Sequence, residues 1–460
     1  MKRRDIEPTE ENLVLTLREN LIDRNIELKY FVDVLNSLED GFSISLEGQW
    51  GSGKTFFVKQ AIMILTAYNK LIPHNSELDN EIKQVWETMD RSNTLSIEPQ
   101  LPIYYDAWSN DNDIDPVLSL VYTIIQDVGA EFDGALNRDL IGAFTSIADI
   151  VTGWPISSVT EKLKKEDLFA EIRKSKNLQS EISSFINSLL PEKANRMVIF
   201  IDELDRCKPT FAVSLLERIK HYFINEKVTF VFSVNVEELQ YTIKQVYGAG
   251  FNASRYLDRF FDLRLQLSPP NLEKYYESIG MDSPEYVYNE VIKEITKRYS
   301  LTLREISKVY LSASIGKKNF ENYRRSMYDA ASAKAVDFAM HCVLPVAICL
   351  NIVDHSEYEQ FKSGKNPNAL DFLAENRAIY DVLYEYLLID EEQKEYGQDC
   401  TRAYSKLCAR LSDAYKGLFE FDFEKFHNNF MVGKMLFNKE VRSTVFRALS
   451  LLSEYADYDR

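Results

Sequence analysis

The chain has 460 residues, 45% of them apolar, and a formal charge of −17. That length suggests two or three domains, and 27 Phe, 26 Tyr and 4 Trp are ample for large cores, which excludes a disordered or low-complexity chain. The acidic balance argues against a broad nucleic-acid-binding face, because sequence-independent affinity comes from Lys and Arg neutralising phosphates; direct nucleic-acid binding is not expected.

The N-terminus, Met1-Lys2-Arg3-Arg4-Asp5, leads into no apolar core, so no signal peptide is expected. The first strand is predicted at 42–46, an apolar run that opens directly into Gly48-Gln49-Trp50-Gly51-Ser52-Gly53-Lys54-Thr55. This is a complete G-x-x-x-x-G-K-[ST] phosphate-binding loop. Gly48, Gly51 and Gly53 let the backbone turn tightly and aim its N–H groups at an anion. Lys54 supplies a point charge for the β- and γ-phosphates, Thr55 has the hydroxyl that a Mg²⁺ ligand needs, and from Phe56 an apolar helix points its N-terminus at the anion. The expected ligands are therefore ATP and Mg²⁺.

Residues 69–100 are polar and weakly periodic, and read as an excursion from the core. A second strand is predicted at 103–108, followed by a helical insert over 110–195 in which 163–190 has helical spacing of apolar residues. The apolar stretch 140–159 is interrupted by Asp149, Gly153 and Pro155, and is read as a buried or interfacial helix.

A third strand, 198–202, ends in Asp202 and Glu203. Set against Lys54, this is the form of a Walker B strand: Asp202 would hold Mg²⁺, and Glu203 would orient and deprotonate the attacking water. The fourth strand, 228–234, is closed by Asn235, and the fifth is predicted at 263–267. Five apolar strands separated by crossover-length segments predict an α/β fold, a parallel sheet flanked by helices. Asn235 stands where ring-forming ATPases carry a γ-phosphate sensor, but it equally suits a helix cap before Glu237-Glu238. Arg259 stands where those ATPases carry an arginine that reaches a neighbour's γ-phosphate, with Arg255 one turn earlier and Arg206 a further candidate; the alternative for Arg259 is an ion pair with Asp258 or Asp262.

Four segments resemble the KAP family of P-loop NTPases. They are 46–57, with Trp50 inside the loop; Tyr104-Tyr105-Asp106-Ala107-Trp108; Ile201-Asp202-Glu203-Leu204-Asp205-Arg206-Cys207; and Arg255-Tyr256-Leu257-Asp258-Arg259-Phe260-Phe261. The resemblance spans residues ~25 to 270, and one departure is Glu203 where the family usually has Asp. It implies a bacterial, soluble-type ATPase whose turnover drives a conformational or oligomerisation switch, in an antiviral defence or phage exclusion system, as a homo-oligomer acting with a separate effector protein. The second reading is an ATP-gated scaffold with little turnover.

Pro269-Pro270 marks a boundary between an NTPase domain, 1–270, and a C-terminal α-helical domain, 271–460, predicted to hold helices at 285–298, 323–341, 369–388, 399–415 and 441–455 and no strands. Within it the apolar run 339–353, with His341 and Pro345, is short for a membrane span and reads as a buried helix, so no membrane association is expected. Phe419, Phe421, Phe423, Phe426 and Phe430 read as core. The basic clusters Lys162-Leu163-Lys164-Lys165, Lys317-Lys318 and Arg324-Arg325 read as solvated helix faces. Five cysteines without C-x-x-C spacing fit a reducing cytoplasm and no structural zinc.

Overall fold

The computed structural model describes residues 7–71, 76–89, 96–129, 142, 145–151, 170–281, 286–324, 329–396, 400–420 and 429–450. The chain forms two compact units, one over residues 6–274 and the other from Tyr275 onward.

The first unit is built on five parallel strands: β1 (Ser43–Glu47), β2 (Gln100–Asp106), β3 (Arg196–Asp202), β4 (Val228–Val234) and β5 (Leu263–Gln266), in the order β2-β3-β4-β1-β5. The continuous apolar runs have a direct cause, since successive side chains of one strand face opposite layers and both layers are covered. Met197, Ile199 and Ile201 of β3 enter one core cluster, while Val198 and Phe200 enter the other. Every residue of β4 is buried.

Helices α1 (Glu10–Glu19), α2 (Asn25–Ser37), α3 (Lys54–Tyr68) and α4 (Ser76–Met89) cover one face, through side chains such as Leu17, Phe31, Phe57 and Trp86. On the other face, α5 (Pro116–Gly129), α6 (Ala170–Lys193), α7 (Pro209–Tyr222) and α8 (Val236–Tyr247) contribute Leu120, Phe185, Leu216 and Leu239. Helix α9 (Ala253–Leu257) leads towards β5. The polar stretch 69–100 is not simply an excursion: α4 lies inside it, and Ile82 and Trp86, four residues apart, dock one helical stripe into the core. The strand that separates β1 from β3 in space is β4, whereas β2, which separates them in sequence, is at the sheet edge.

The strand register brings the functional ends together. Asp106 pairs with Asp202, Asp202 with Ser233, and Glu47 with Val234, so the carboxyl ends of β2, β3, β4 and β1 finish at one level. In an open α/β sheet, that end is where ligands bind.

The second unit is largely helical, with long helices at Leu303–Arg324 and Cys400–Phe419. The expectation of no strands is corrected by a hairpin, β6 (Phe430–Val432) and β7 (Met435–Phe437), turned by Gly433 at φ 58°. A Cβ at Gly433 would strike the backbone of Leu387, so the position needs glycine. Three-residue strands carry too little alternation to be seen in a sequence. The run 339–353 is also longer than expected, being part of one helix, Ala330–Val353. That helix is long and apolar enough to cross a membrane, and most of it is buried inside the unit. A π turn at Ala339–Val343 precedes Pro345, whose missing N–H interrupts the regular ladder. Phe419 is buried; Phe421, Phe423 and Phe426 lie outside the described residues, as do Lys162-Leu163-Lys164-Lys165, Arg325 and most of 140–159.

Candidate nucleotide site

Residues 48–53 leave β1 as a tight loop, and α3 begins at Lys54. Gly51 (φ 76°) and Gly53 (φ 91°) take left-handed conformations that other residues reach only with strain. Gly48 is needed for space instead: a Cβ there would come within 2.9 Å of the Ser52 hydroxyl and 3.3 Å of Lys54 Cγ. The N–H of Gly48 donates to the Val234 carbonyl at 3.2 Å, pinning the loop to the end of β4.

Lys54 is buried, and its ammonium donates to the carbonyls of Gly48 (2.6 Å) and Gln49 (3.1 Å). Burial lowers its pKa, opposed by the negative charges of Asp205, Asp202 and Glu203. The Lys54 ammonium thus feels all three carboxylates of the β3 turn, although none is close to it in sequence. Gln49 and Trp50 are exposed, and Thr55 and Phe56 are half-buried in the first turn of α3.

At the end of β3, Asp202 is buried; its Oδ2 accepts from the Tyr104 hydroxyl (3.0 Å) and its Oδ1 from the Glu203 N–H (3.0 Å). Burial and the Asp202 charge push the Tyr104 phenol well above its ordinary pKa, so it stays a donor. Glu203 itself is left-handed (φ 60°), a strained setting for a residue with a Cβ. The chain then turns through a short 3₁₀ segment, Leu204–Arg206, which swings the guanidinium back: Arg206 Nε lies 2.5 Å from Glu203 Oε2. Burial pushes the Glu203 carboxyl up to about 7, against the pull of Arg206.

Arg206 is flanked by two indoles, its guanidinium carbon 5.9 Å from the Trp50 ring and 5.8 Å from the Trp108 ring. The Trp50 indole N–H donates to Asp205. The loop, the end of β2 and the turn after β3 are therefore held in one network. Arg206 is thus engaged within its own chain.

Asn235 caps α8, its side-chain oxygen accepting from the Glu237 N–H at 3.2 Å, so the cap forms and the amide NH₂ is the group left for a sensing role. The ion pairs considered for Arg259 do not form. Asp258 pairs with Arg264 (3.1 Å), and Asp262 accepts from the Ser43 N–H (2.8 Å). Arg255 and Arg259 are both exposed.

The donors fit a nucleoside triphosphate with a hard divalent cation. The Ser52 hydroxyl is buried without a hydrogen-bond partner among the described residues, inside a loop whose amides can surround phosphate. Mg²⁺ takes one or two protein oxygens and completes its shell with water and phosphate oxygens. Thr55 and Asp202 have the right oxygens for it.

Sequence reasoning passed over Asp205, the acceptor for Trp50, and Arg24, whose guanidinium donates to the loop carbonyl of Ser52 at 2.7 Å. An indole N–H donor inside a phosphate loop was a usable signal for the first; no local pattern marks the second. The family model described as the KAP family P-loop domain matches residues 24–309, which takes in every residue named above. No curated protein matches the chain.

Proposed function

The chain belongs to the KAP family of P-loop domains, and on that premise we propose that it is a Mg²⁺-dependent ATPase whose ATP binding and hydrolysis drive a conformational or oligomerisation switch. One observation carries the reading: the Trp50 indole N–H donates to Asp205, which joins the phosphate loop to the turn bearing Asp202 and Glu203 at the carboxyl end of the sheet. A phosphate loop accounts for binding, whereas a second carboxylate beside the metal ligand is what hydrolysis requires.

In this reading the loop amides and Lys54 hold the triphosphate, and Thr55 and Asp202 hold Mg²⁺, which when bound supplies charge neutralisation on the phosphates. Tyr104 fixes the Asp202 carboxylate by its hydrogen bond. Glu203 orients the attacking water and takes its proton, and the Asn235 amide stands at the end of β4 to help place that water. Arg259, exposed and outside both ion pairs considered for it, is the candidate to complete a neighbouring subunit's site. Trans completion would make the working form a homo-oligomer.

The resemblance to bacterial members of the family supports a cytoplasmic role in antiviral defence or phage exclusion, with a separate effector protein supplying the output. The second reading, an ATP-gated scaffold with little turnover, is favoured by the 2.5 Å contact between Glu203 and Arg206, which occupies the carboxylate that hydrolysis needs. Phosphate release from ATP by purified protein, with and without Mg²⁺, separates the two: Mg²⁺-dependent turnover abolished in Glu203→Gln supports the ATPase, and ATP binding without turnover supports the scaffold.

A further inference from the structure

Between α1 and α2 the chain makes a turn with two left-handed residues, Asn20 (φ 49°) and Asp23 (φ 56°). The turn is locked from within. Asn20 Nδ2 donates to Asp23 Oδ1 (2.9 Å), Asn20 Oδ1 accepts from the Asn25 N–H (3.1 Å), and Asn25 Nδ2 reaches the Leu17 carbonyl (2.6 Å). Its product is a fixed, buried guanidinium, since Arg24 is only 4% exposed. One arm, Nη1, donates to the Ser52 carbonyl of the phosphate loop (2.7 Å), and the other, Nη2, donates to the Ser268 carbonyl just beyond β5 (2.5 Å). Glu27 completes the bridge: Oε2 lies 3.8 Å from Arg24 Nε, and Oε1 accepts from the Ser268 N–H (2.8 Å). The Asn271 N–H donates to the Ile22 carbonyl (3.2 Å), so both ends of 268–271 are held on this turn. Burial brings the Arg24 pKa down to about 10, which leaves it charged at neutral pH.

We propose that Arg24 is a positioning residue, which orients the Ser52–Gly53 peptide of the phosphate loop and carries nucleotide occupancy to residues 268–271; this rests on the reading that the loop binds ATP. The peptide is planar and trans, so holding the Ser52 carbonyl on Arg24 fixes the Gly53 N–H on the opposite side. A phosphate accepting from that N–H polarises the same peptide and makes the Ser52 oxygen a better acceptor for Arg24. Because a guanidinium is a rigid planar fork, tightening one arm constrains the other, here on the segment that leaves β5 for Pro269-Pro270 and the unit boundary. A lysine at this place keeps the charge and loses the fork.

The test is hydrogen exchange by mass spectrometry on the full chain, with and without saturating ATP and Mg²⁺, alongside ATP affinity by calorimetry. In the wild type, ATP is expected to slow exchange both in the loop and at the Ser268 and Asn271 amides, the two that 268–271 carries because Pro269 and Pro270 have none. Arg24→Gln should bind ATP about tenfold more weakly, and at saturation should protect the loop but not 268–271. Arg24→Lys, the variant to use if the first does not fold, should recover part of the affinity without the distal protection. A purely structural role would raise exchange regardless of ATP. Wild-type affinity and wild-type protection of 268–271 in both variants would overturn the proposal. Protection of the loop alone in the wild type would overturn the coupling while leaving the nucleotide reading intact; no ATP effect on the wild-type loop would sink the nucleotide reading and the proposal with it.

Discussion

The indole N–H of Trp50 donates to the carboxylate of Asp205, joining the phosphate loop to the turn that carries Glu203 across 155 residues of sequence. The loop and the acidic turn are therefore tied directly to each other, with Arg206 against the same indole and paired to Glu203. Trp50→Phe keeps the ring and removes the donor. A hydrogen bond to a charged group is worth ~1.5–3 kcal/mol, less at a side chain 42% exposed, so turnover should fall about fivefold with ATP affinity within about threefold of wild type. Steady-state kinetics check this; an unchanged kcat would mean the contact is ornamental.

Lys54→Ala removes the cation that the loop places among its own carbonyls. ATP binding should weaken by more than about tenfold, roughly 1.4 kcal/mol, with the fold retained. Calorimetry giving equal affinity for mutant and wild type contradicts the phosphate-loop assignment.

Glu203→Gln keeps the shape of the side chain and removes its basicity. Turnover should drop by about 10²-fold or more, without a comparable loss of ATP affinity. A mutant that hydrolyses at the wild-type rate places the base elsewhere.

Arg259 is exposed, and neither neighbouring aspartate holds it. If it acts across a subunit boundary, specific activity should rise with protein concentration, and Arg259→Ala should bind ATP without hydrolysing it. Mixing Arg259→Ala with Glu203→Gln subunits should restore part of the activity, because some interfaces then pair an intact base with an intact arginine. Concentration-independent activity and an inactive mixture would show that each chain holds a complete site.

Burial pushes the Cys342 and Cys349 thiols up to about 12, and raises that of Cys207 further with help from Asp111 and Asp205. Thiolate is the reactive form, and burial holds Cys342 and Cys349 as thiols at neutral pH. Native protein should leave these three unmodified by iodoacetamide on a timescale that labels denatured protein fully, as peptide mapping would show. Rapid labelling of Cys207 would mean that the turn after Glu203 opens in solution.

What the chain alone determined is whatever local chemistry encodes. Gly48, Gly51, Gly53 and Lys54 announce the loop because backbone conformation and charge are both specified within eight residues, and β3 and β4 announce themselves because a strand buried on both faces must be apolar throughout. β5 is different, alternating Leu263 and Leu265 with Arg264 and Gln266 and staying partly exposed, while the Asp202–Glu203 pair stands out as two adjacent carboxylates at the end of an apolar run. What only the tertiary structure decided are the contacts that close over long separations. Strand order placed β4 between β1 and β3; Asp205 became the partner of Trp50; Arg24 reached Ser52 and, 244 residues away, Ser268. None of these has a periodicity, since an arginine in a turn reads as solvated until the fold buries it. Local partners were chosen in the same way: Asn235 caps α8 because the helix starts there, and Asp258 and Asp262 are engaged by Arg264 and the Ser43 amide and not by Arg259. Competition among neighbours in space decides such pairings, and a one-dimensional pattern does not contain the neighbours.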